Sequence, residues 1–235
     1  MVAAAAKGNS NITKYTKYVE SFQNKVLEKD PEAMVMPFLS NHDMDRIAGA
    51  FVTENNMRMA ANLYLLCTGS PVIYYGEEIG MRGSRGSANT DANRRLAMLW
   101  GDEDTVKDPI GSTYPADKQI NTTVTEQSAD ENSLYQYYCR LLAIRHKYPA
   151  IARGKYTALD FGEKNLGGFL IEYENESIVL VHNTSPTETL SCDLGQCKTL
   201  DGISVSNLSD SIGVGGAILE GSVLTVEPQS SALLK

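Results

Sequence analysis

Three polar residues follow an apolar segment early in the chain. Segment 34–39 is almost continuously apolar and is followed by Asn41, His42 and Asp43, with Arg46 close behind. Such a segment is typical of a strand buried on both faces of a parallel sheet. At the carboxyl end of a barrel strand, a carboxylate and an imidazole could bind sugar hydroxyls, and the carboxylate could stabilise positive charge at an anomeric carbon. The alternative is that Asn41 and Asp43 only shape a turn.

A second apolar segment, 71–75, is followed by Glu77 and Glu78. Apolar periodicity predicts a helix over 56–67, so the chain runs strand, helix, strand within about 40 residues, which is the length of a right-handed βαβ unit. The two glutamates should then lie at the same edge as the polar residues after segment 34–39. They could be hydrogen-bonded structural carboxylates or could contact a ligand directly.

The adjacent residues Tyr74 and Tyr75 lie at the end of this second predicted strand. Successive side chains of a strand point to opposite faces. We therefore expect one tyrosine to face the barrel interior and the other to face a helix.

The two motifs together resemble the α-amylase family of glycoside hydrolases. Residues 38–43 resemble the family's motif after its seventh barrel strand, and residues 69–80 closely resemble its eighth-strand motif, in the correct order. The resemblance implies that Asp43 helps to distort the substrate and stabilises an oxocarbenium-like transition state. It implies that His42 binds the same sugar ring.

A third segment, 91–100, resembles a motif of family members that act on short glucosides and maltodextrins, with Ala97 at the usual proline position. Trp100 could stack on a sugar ring or could anchor the long loop. The acidic residues 102–104 and Asp108 could suggest calcium, but their spacing favours a solvated acidic face. We therefore predict no metal site in this segment, although calcium is possible in the full-length protein. Carried over by position, the resemblance adds these substrate-binding candidates: Asn41, Arg46, Tyr75, Glu78 and Trp100.

The remaining pattern indicates two parts. A helix is predicted over 11–28, with Asn11 as its cap, and another over 133–148. From Lys155 onward, short alternating segments are separated by turn residues, which is typical of an antiparallel sandwich. The predicted fold is thus α/β plus all-β: a partial (β/α)8 barrel over 1–154, with its last two βα units and flanking helices, then a small β-sandwich over 155–235.

Retaining glycosidases need a nucleophile and an acid/base carboxyl group about 5 Å apart. In the resembled family these groups follow the fourth and fifth barrel strands, and no candidate for either is found here. The resemblance implies part of a retaining hydrolase of α-glucosidic bonds in starch, maltodextrins or related α-glucosides, with the chain inactive alone. The alternatives are an α-glucosyl transferase or isomerase of the same family, or a non-catalytic carbohydrate-binding or scaffold member.

The formal net charge of −8 argues against nucleic acid as a partner. No apolar run reaches the length of a membrane span. The two predicted barrel strands would expose their edges, so we expect them to be covered by the missing N-terminal half of the barrel or by self-association. The compartment stays open, with an extracellular or cell-envelope location favoured over the cytoplasm.

The chain has four cysteines, and the sequence around each bears on whether it is a free thiol or part of a disulfide. Cys67 and Cys139 lie in apolar helical patterns and are expected to be buried free thiols. Cys192 and Cys197 flank a turn, so they could face each other and form a disulfide, or they could stay reduced. A zinc site is disfavoured because the chain has no paired CxxC motif or spaced histidines.

Overall fold

Helices dominate the first two thirds of the chain, and antiparallel strands form the rest. The structure is a computed structural model that describes residues 1–51, 53–86, 88, 90–101, 105–119 and 121–235. Its helices are α1 Val2–Ala6, α2 Ile12–Lys29, α3 Glu54–Leu65, α4 Val124–Ala129, α5 Leu134–Lys147 and α6 Pro149–Arg153. Its strands are β1 Lys155–Asp160, β2 Leu166–Tyr173, β3 Glu176–Asn183, β4 Leu190–Asp193, β5 Leu208–Gly213, β6 Ala217–Glu220, β7 Val223–Val226 and β8 Ser230–Leu234. None of the described helices is long and apolar enough to cross a membrane.

Helix α2 begins where its capping residue predicts. The Asn11 side chain accepts a hydrogen bond from the Thr13 N–H at 2.8 Å, which satisfies one of the free donors of the first turn. One face of the helix buries Tyr15 and Val19. Phe22 continues the same apolar pattern yet is 47% exposed. The periodicity therefore predicted the helix correctly, but part of its apolar face lacks a covering layer.

The two predicted parallel strands are shorter than expected. Segments 34–39 and 71–75 are joined by a single parallel bridge, between Phe38 and Val72, and neither is a regular strand. Val72 N–H donates to the Pro37 carbonyl at 2.9 Å. No further strand pairs with either segment among the described residues. Helix α3 connects the two segments, so the strand–helix–strand order is as predicted.

The C-terminal strands form two antiparallel sheets. The larger sheet has the order β1-β2-β3-β8-β5, and the smaller has the order β4-β7-β6. Leu159, Leu170 and Val179 belong to an apolar cluster that also contains Leu224 of the small sheet. The predicted antiparallel pairing is therefore confirmed, whereas the burial of β2, β3 and β8 does not alternate along the strand.

The larger sheet is buried on both faces. Phe169 and Leu180 join a core cluster with Tyr15 of α2 and Tyr64 of α3. The molecule thus has three layers: helices, the five-stranded sheet and the three-stranded sheet. Strand β1 begins at Lys155, yet the helices and the first sheet share one core across that position.

The cysteine predictions are partly wrong. Cys67 is buried, but Cys139 is exposed on the outer side of α5. Cys192 and Cys197 are both buried free thiols, not a disulfide. Burial raises the pKa of the Cys192 thiol to about 12, which disfavours the thiolate that disulfide formation requires.

Candidate functional site

The carboxyl ends of segments 34–39 and 71–75 lie together, as the strand–helix–strand order predicts. Ser40 Oγ donates to Glu77 Oε2 at 3.2 Å. Glu77 Oε1 accepts hydrogen bonds from the hydroxyls of Tyr64 and Tyr138. This carboxylate therefore ties α3 and α5 to both segments.

Glu77 is 4% exposed. Burial raises its pKa to about 7, against the opposing effect of its three hydroxyl donors. A carboxyl group enclosed in this way cannot contact a ligand. Its structural role, one of the two predicted alternatives, agrees with this geometry.

Asp43 lies on the solvent side of the same edge. Its side chain is 64% exposed, and its Oδ1 accepts from Arg95 Nη2 at 2.9 Å. His42 Nε2 lies 3.3 Å from Asp43 Oδ2. Arg95 Nε also donates to the His42 carbonyl at 3.1 Å. The Arg95 guanidinium therefore contacts both Asp43 and His42, the two residues to which the resemblance assigns contact with the same sugar ring.

Arg94 adds a second ion-pair centre. Its Nε donates to Asp45 Oδ1 at 2.8 Å, and its Nη1 donates to the Asp43 carbonyl at 2.9 Å and to Asp91 Oδ1 at 2.8 Å. The backbone N–H of Arg85, followed by Arg94, lowers the pKa of Asp45. The third motif is thus bound to the first through charged side chains and main-chain carbonyls.

Asn41 performs the turn-forming role that was considered for it. Its Oδ1 accepts from the Asp43 N–H at 2.9 Å, across two residues. The oxygen is therefore used in shaping the loop that presents Asp43. The Asp43 carboxylate itself takes no part in this turn and points to Arg95 and His42.

Arg46 does not fit the role of a substrate contact. It is 3% exposed, and its guanidinium carbon lies 4.6 Å and 4.5 Å from the ring centres of Tyr74 and Tyr75. Its Nη1 donates to the Tyr75 carbonyl at 2.5 Å. The Arg46 guanidinium is therefore packed beneath the surface and is not exposed beside Asp43.

The expectation that Tyr74 and Tyr75 face opposite sides is wrong. Their ring centres are 4.7 Å apart, and both rings contact Arg46. Side chains point alternately to opposite faces of a strand only while the backbone stays extended and paired. Here the chain has left its single bridge at Val72 and turns at Tyr75.

Glu78 and Trp100 take different positions. Glu78 Oε2 is buried with no hydrogen-bond partner among the described residues, and burial raises the Glu78 pKa. Trp100 is 53% exposed, and its carbonyl accepts from both the N–H and the Oγ of Thr125. The main chain of Trp100 therefore anchors the long loop to α4, and stacking of its ring on a sugar stays a prediction.

The absence of a metal site in this segment stays a prediction. Within the described ranges, no group of three or more histidine, cysteine, aspartate or glutamate side chains could hold a metal ion. The acidic residues 102–104 lie outside the described residues. Asp108 Oδ1 accepts from the Ala97 N–H at 2.8 Å, so it closes a loop.

Sequence reasoning missed Arg95 as the partner of Asp43, although the adjacent arginines of the third motif were a visible signal. It also missed Tyr64 and Tyr138 as partners of Glu77. Nothing in the local pattern distinguishes these tyrosines from other core aromatics. Both contacts span long sequence separations and depend on how the helices pack.

Comparisons with known proteins identify the family of the chain. Residues 2–154 match the family model of the α-amylase catalytic domain. The α-amylase SusG of Bacteroides thetaiotaomicron is 31% identical over 187 residues, which cover 76% of this chain and 27% of SusG. α-Amylase 3 of Dictyoglomus thermophilum is 33% identical over 157 residues, which cover 64% of this chain and 30% of that protein.

Solved structures share the fold. Eubacterium rectale Amy13B matches 100% of this chain with a TM-score of 0.85 at 27% identity, over 45% of its own chain. An α-amylase from H. orenii matches 99% of this chain with a TM-score of 0.79, over 46% of its own chain. This chain therefore spans less than half the length of these proteins. On the family match, the relatives and the arrangement of the two motifs, the chain belongs to the α-amylase family of glycoside hydrolases.

Proposed function

We propose that the chain forms one side of the active site of a retaining glycoside hydrolase that cleaves α-glucosidic bonds in starch, maltodextrins or related α-glucosides. One observation carries the proposal: Asp43 is exposed at the shared edge of the two parallel segments, and Arg95 and His42 hold its carboxylate. In this role the carboxylate stabilises positive charge that develops at the anomeric carbon. His42, exposed beside it, hydrogen-bonds the same sugar ring.

The chain supplies only part of the chemistry. A retaining mechanism also needs a nucleophile and an acid/base carboxyl group about 5 Å apart. The neighbouring carboxylates Asp45 and Asp91 are each paired with Arg94, and Glu77 is enclosed by hydroxyl groups. We therefore infer that both missing groups come from a part of the barrel outside this sequence, and that the chain alone is inactive.

The fold supports this division. Residues 1–154 would be the last two βα units of a (β/α)8 barrel, with the two antiparallel sheets as a following domain. Met36 and Phe38 on one segment are 65% and 48% exposed, and Val72 on the other is also exposed. Tyr18 and Phe22 of α2 extend this surface, which we call the open face. The preceding barrel strands would cover it in the complete enzyme.

In the isolated chain the open face should drive self-association. Light scattering after size exclusion should show a dimer or larger species that Phe38→Asp shifts toward monomer. Ile218→Asp is the matched control, because Ile218 is an exposed apolar residue of the small sheet, outside the open face. A clean wild-type monomer would contradict self-association.

The catalytic proposal is tested in a hybrid enzyme. The chain replaces the matching 45% of Eubacterium rectale Amy13B, and cleavage of a maltooligosaccharide is measured. Asp43→Asn should lower kcat about 100- to 1000-fold, as expected for loss of a group that stabilises transition-state charge. If the hybrid does not fold, the chain is mixed with the separately expressed remainder of Amy13B and the same variants are compared.

Asp160→Asn is the control, because Asp160 is an exposed carboxylate paired with Lys17, far along the chain from this edge. It should leave kcat unchanged. Equal activity of the Asp43→Asn and Asp160→Asn hybrids would contradict the assignment of Asp43.

Glucosyl transfer or isomerisation is the second candidate, because a 4-α-glucanotransferase of Thermotoga neapolitana is 24% identical over 72% of this chain. The same measurement distinguishes these activities. Hydrolysis releases new reducing ends, whereas transfer redistributes chain lengths and isomerisation changes a linkage, both without new reducing ends. A hybrid that binds maltooligosaccharide without any product would favour the non-catalytic binding or scaffold role.

A further inference from the structure

Two tyrosine hydroxyls hold the main chain on either side of Arg95. The Tyr74 hydroxyl donates to the Arg94 carbonyl at 3.1 Å, and the Tyr75 hydroxyl donates to the Leu96 carbonyl at 2.7 Å. The two accepting carbonyls flank Arg95, whose guanidinium donates to the Asp43 carboxylate. The backbone of Arg95 is therefore attached to the segment that follows Val72, a region about 20 residues away in sequence.

The two rings are themselves fixed by Arg46. Its guanidinium packs against both rings at about 4.5 Å and donates to the Tyr75 carbonyl. The backbone N–H of Arg46 donates to the Gly83 carbonyl at 2.8 Å. Because Arg46 is almost fully buried, these cation–π contacts are desolvated and stronger than they would be at the surface. The rings of Tyr74 and Tyr75 and the Arg46 guanidinium form a packed cluster, and this cluster supports the main chain around Arg95.

Arg95 needs such a support. Its Nη2 pairs with Asp43 and, at 3.4 Å, with Asp91 Oδ2, but 45% of the Arg95 side chain and 64% of the Asp43 side chain are exposed, so water and salt screen these ion pairs. An exposed pair of this kind does not by itself hold two flexible side chains in one geometry. A site that acts on charge in a transition state requires its groups to be held in place beforehand.

We propose that Tyr74 and Tyr75 are positioning residues: their hydroxyls hold the backbone around Arg95 so that its guanidinium orients Asp43 and the His42 carbonyl. This inference rests on the proposed function, in which Asp43 acts on the sugar. Arg46 provides the stacking surface for the rings and does not touch the substrate. The substitution of either hydroxyl should loosen Arg95 while leaving the fold intact.

The test uses the 235-residue chain with ¹⁵N-labelled arginine. Hydrogen exchange of the Arg95 Nε–H, which donates to the His42 carbonyl, is followed by NMR, and the signal is assigned by its loss in Arg95→Lys. Tyr75→Phe keeps the ring against Arg46 and removes only the hydroxyl. Loss of one hydrogen bond should accelerate this exchange about three- to tenfold, with a smaller effect for Tyr74→Phe and a larger one for the double variant.

Two references separate positioning from general stability. The Arg58 Nε–H donates to Glu54 Oε1 at 3.0 Å within α3, so its exchange reports on an ion pair outside the cluster. Tyr18→Phe removes the hydroxyl of an exposed tyrosine on α2. We expect the Arg58 signal to be unchanged in all variants and the Arg95 signal to be unchanged in Tyr18→Phe.

The inference is overturned if Tyr74→Phe and Tyr75→Phe leave Arg95 exchange unchanged, or if they accelerate Arg58 exchange equally. The second result would mean that the hydroxyls only stabilise the fold. The measurement uses no substrate, so its outcome is separate from that of the hybrid-enzyme test. Equal activity of the Asp43→Asn and Asp160→Asn hybrids, together with accelerated Arg95 exchange, would reject the proposed function and keep the geometric role of the tyrosines.

Discussion

The larger C-terminal sheet and the open face are both built from apolar segments, but the two differ in strand pairing and in burial. Strands β2 and β3 pair over eight residue pairs, and every residue of β8 is buried. Segments 34–39 and 71–75 are equally apolar, yet they share one bridge and leave Met36 and Phe38 exposed. The difference lies in the number of neighbouring strands. The sheet has its partner strands within this chain, whereas the parallel segments, in the part of the chain that the structure describes, pair only with each other.

The strongest test of this comparison places the same substitution in both regions. Phe169 is fully buried between the helices and the larger sheet, and its ring centre lies 4.9 Å from the ring centre of Tyr156. Phe169→Ala should lower the free energy of unfolding by about 3–5 kcal/mol, because it removes a large side chain from a packed core. Phe38→Ala on the open face should cost about 0.5 kcal/mol or less when the chain is dilute enough to be monomeric. Urea unfolding measures both, and similar costs would show that the open face is covered in solution.

The next test concerns a buried base in the sheet region. Burial lowers the pKa of His182 to about 3, and its Nδ1 lies 2.7 Å from Ser231 Oγ. Because the folded pKa lies below the unfolded value of about 6.5, the unfolded chain binds the proton first. Stability from this group is complete above about pH 6.5 and is lost as the pH falls toward 3, by about 2–3 kcal/mol at pH 4.5.

The variant His182→Gln should remove that contribution. In chemical unfolding between pH 4.5 and 6.5, the change of stability with increasing pH would then be less positive than in the wild type, because the fall due to a buried acid such as Glu77 is no longer offset. An unchanged pH dependence would mean that His182 is accessible to protons in the folded state.

The third test concerns a buried acid at the functional edge, and its sign is opposite. Burial raises the pKa of Glu77 to about 7, above the ordinary value of 4.5. The folded chain therefore binds the proton first, and stability from this group falls as the pH rises from about 4.5 to 7, by up to about 3 kcal/mol. Glu77→Gln should remove this fall and leave the rise due to His182. If the free energy of unfolding changes with pH in the same way in Glu77→Gln and in the wild type, the Glu77 carboxyl group is already ionised in the folded chain at low pH.

Much of the molecule could be predicted from local signals. The cap at Asn11, the helix around Leu134 and the alternation from Lys155 onward all correspond to observed elements. The meeting of Asp43 and Glu77 at one edge also follows, because a strand–helix–strand unit places both carboxyl ends on the same side. These features depend on chain direction and periodicity, which a sequence carries directly.

Other features could not be predicted from those signals. The expected alternation of Tyr74 and Tyr75 failed because the strand ends before them, and Arg46 is buried by two rings whose positions depend on that ending. Cys139 lies on an apolar helix but on its outer side. Each case depends on which neighbour occupies the adjoining space, and periodicity does not specify that neighbour.

The sequence by itself determined the order of the motifs, the family they indicate and the edge at which Asp43 lies. Only the tertiary structure decided that Arg95 holds Asp43, that Tyr74 and Tyr75 flank Arg95 from below, and that Glu77 is enclosed by hydroxyl groups. The physical reason is distance along the chain. Arg95 and Asp43 are 52 residues apart, and such a contact forms only when separate elements have packed.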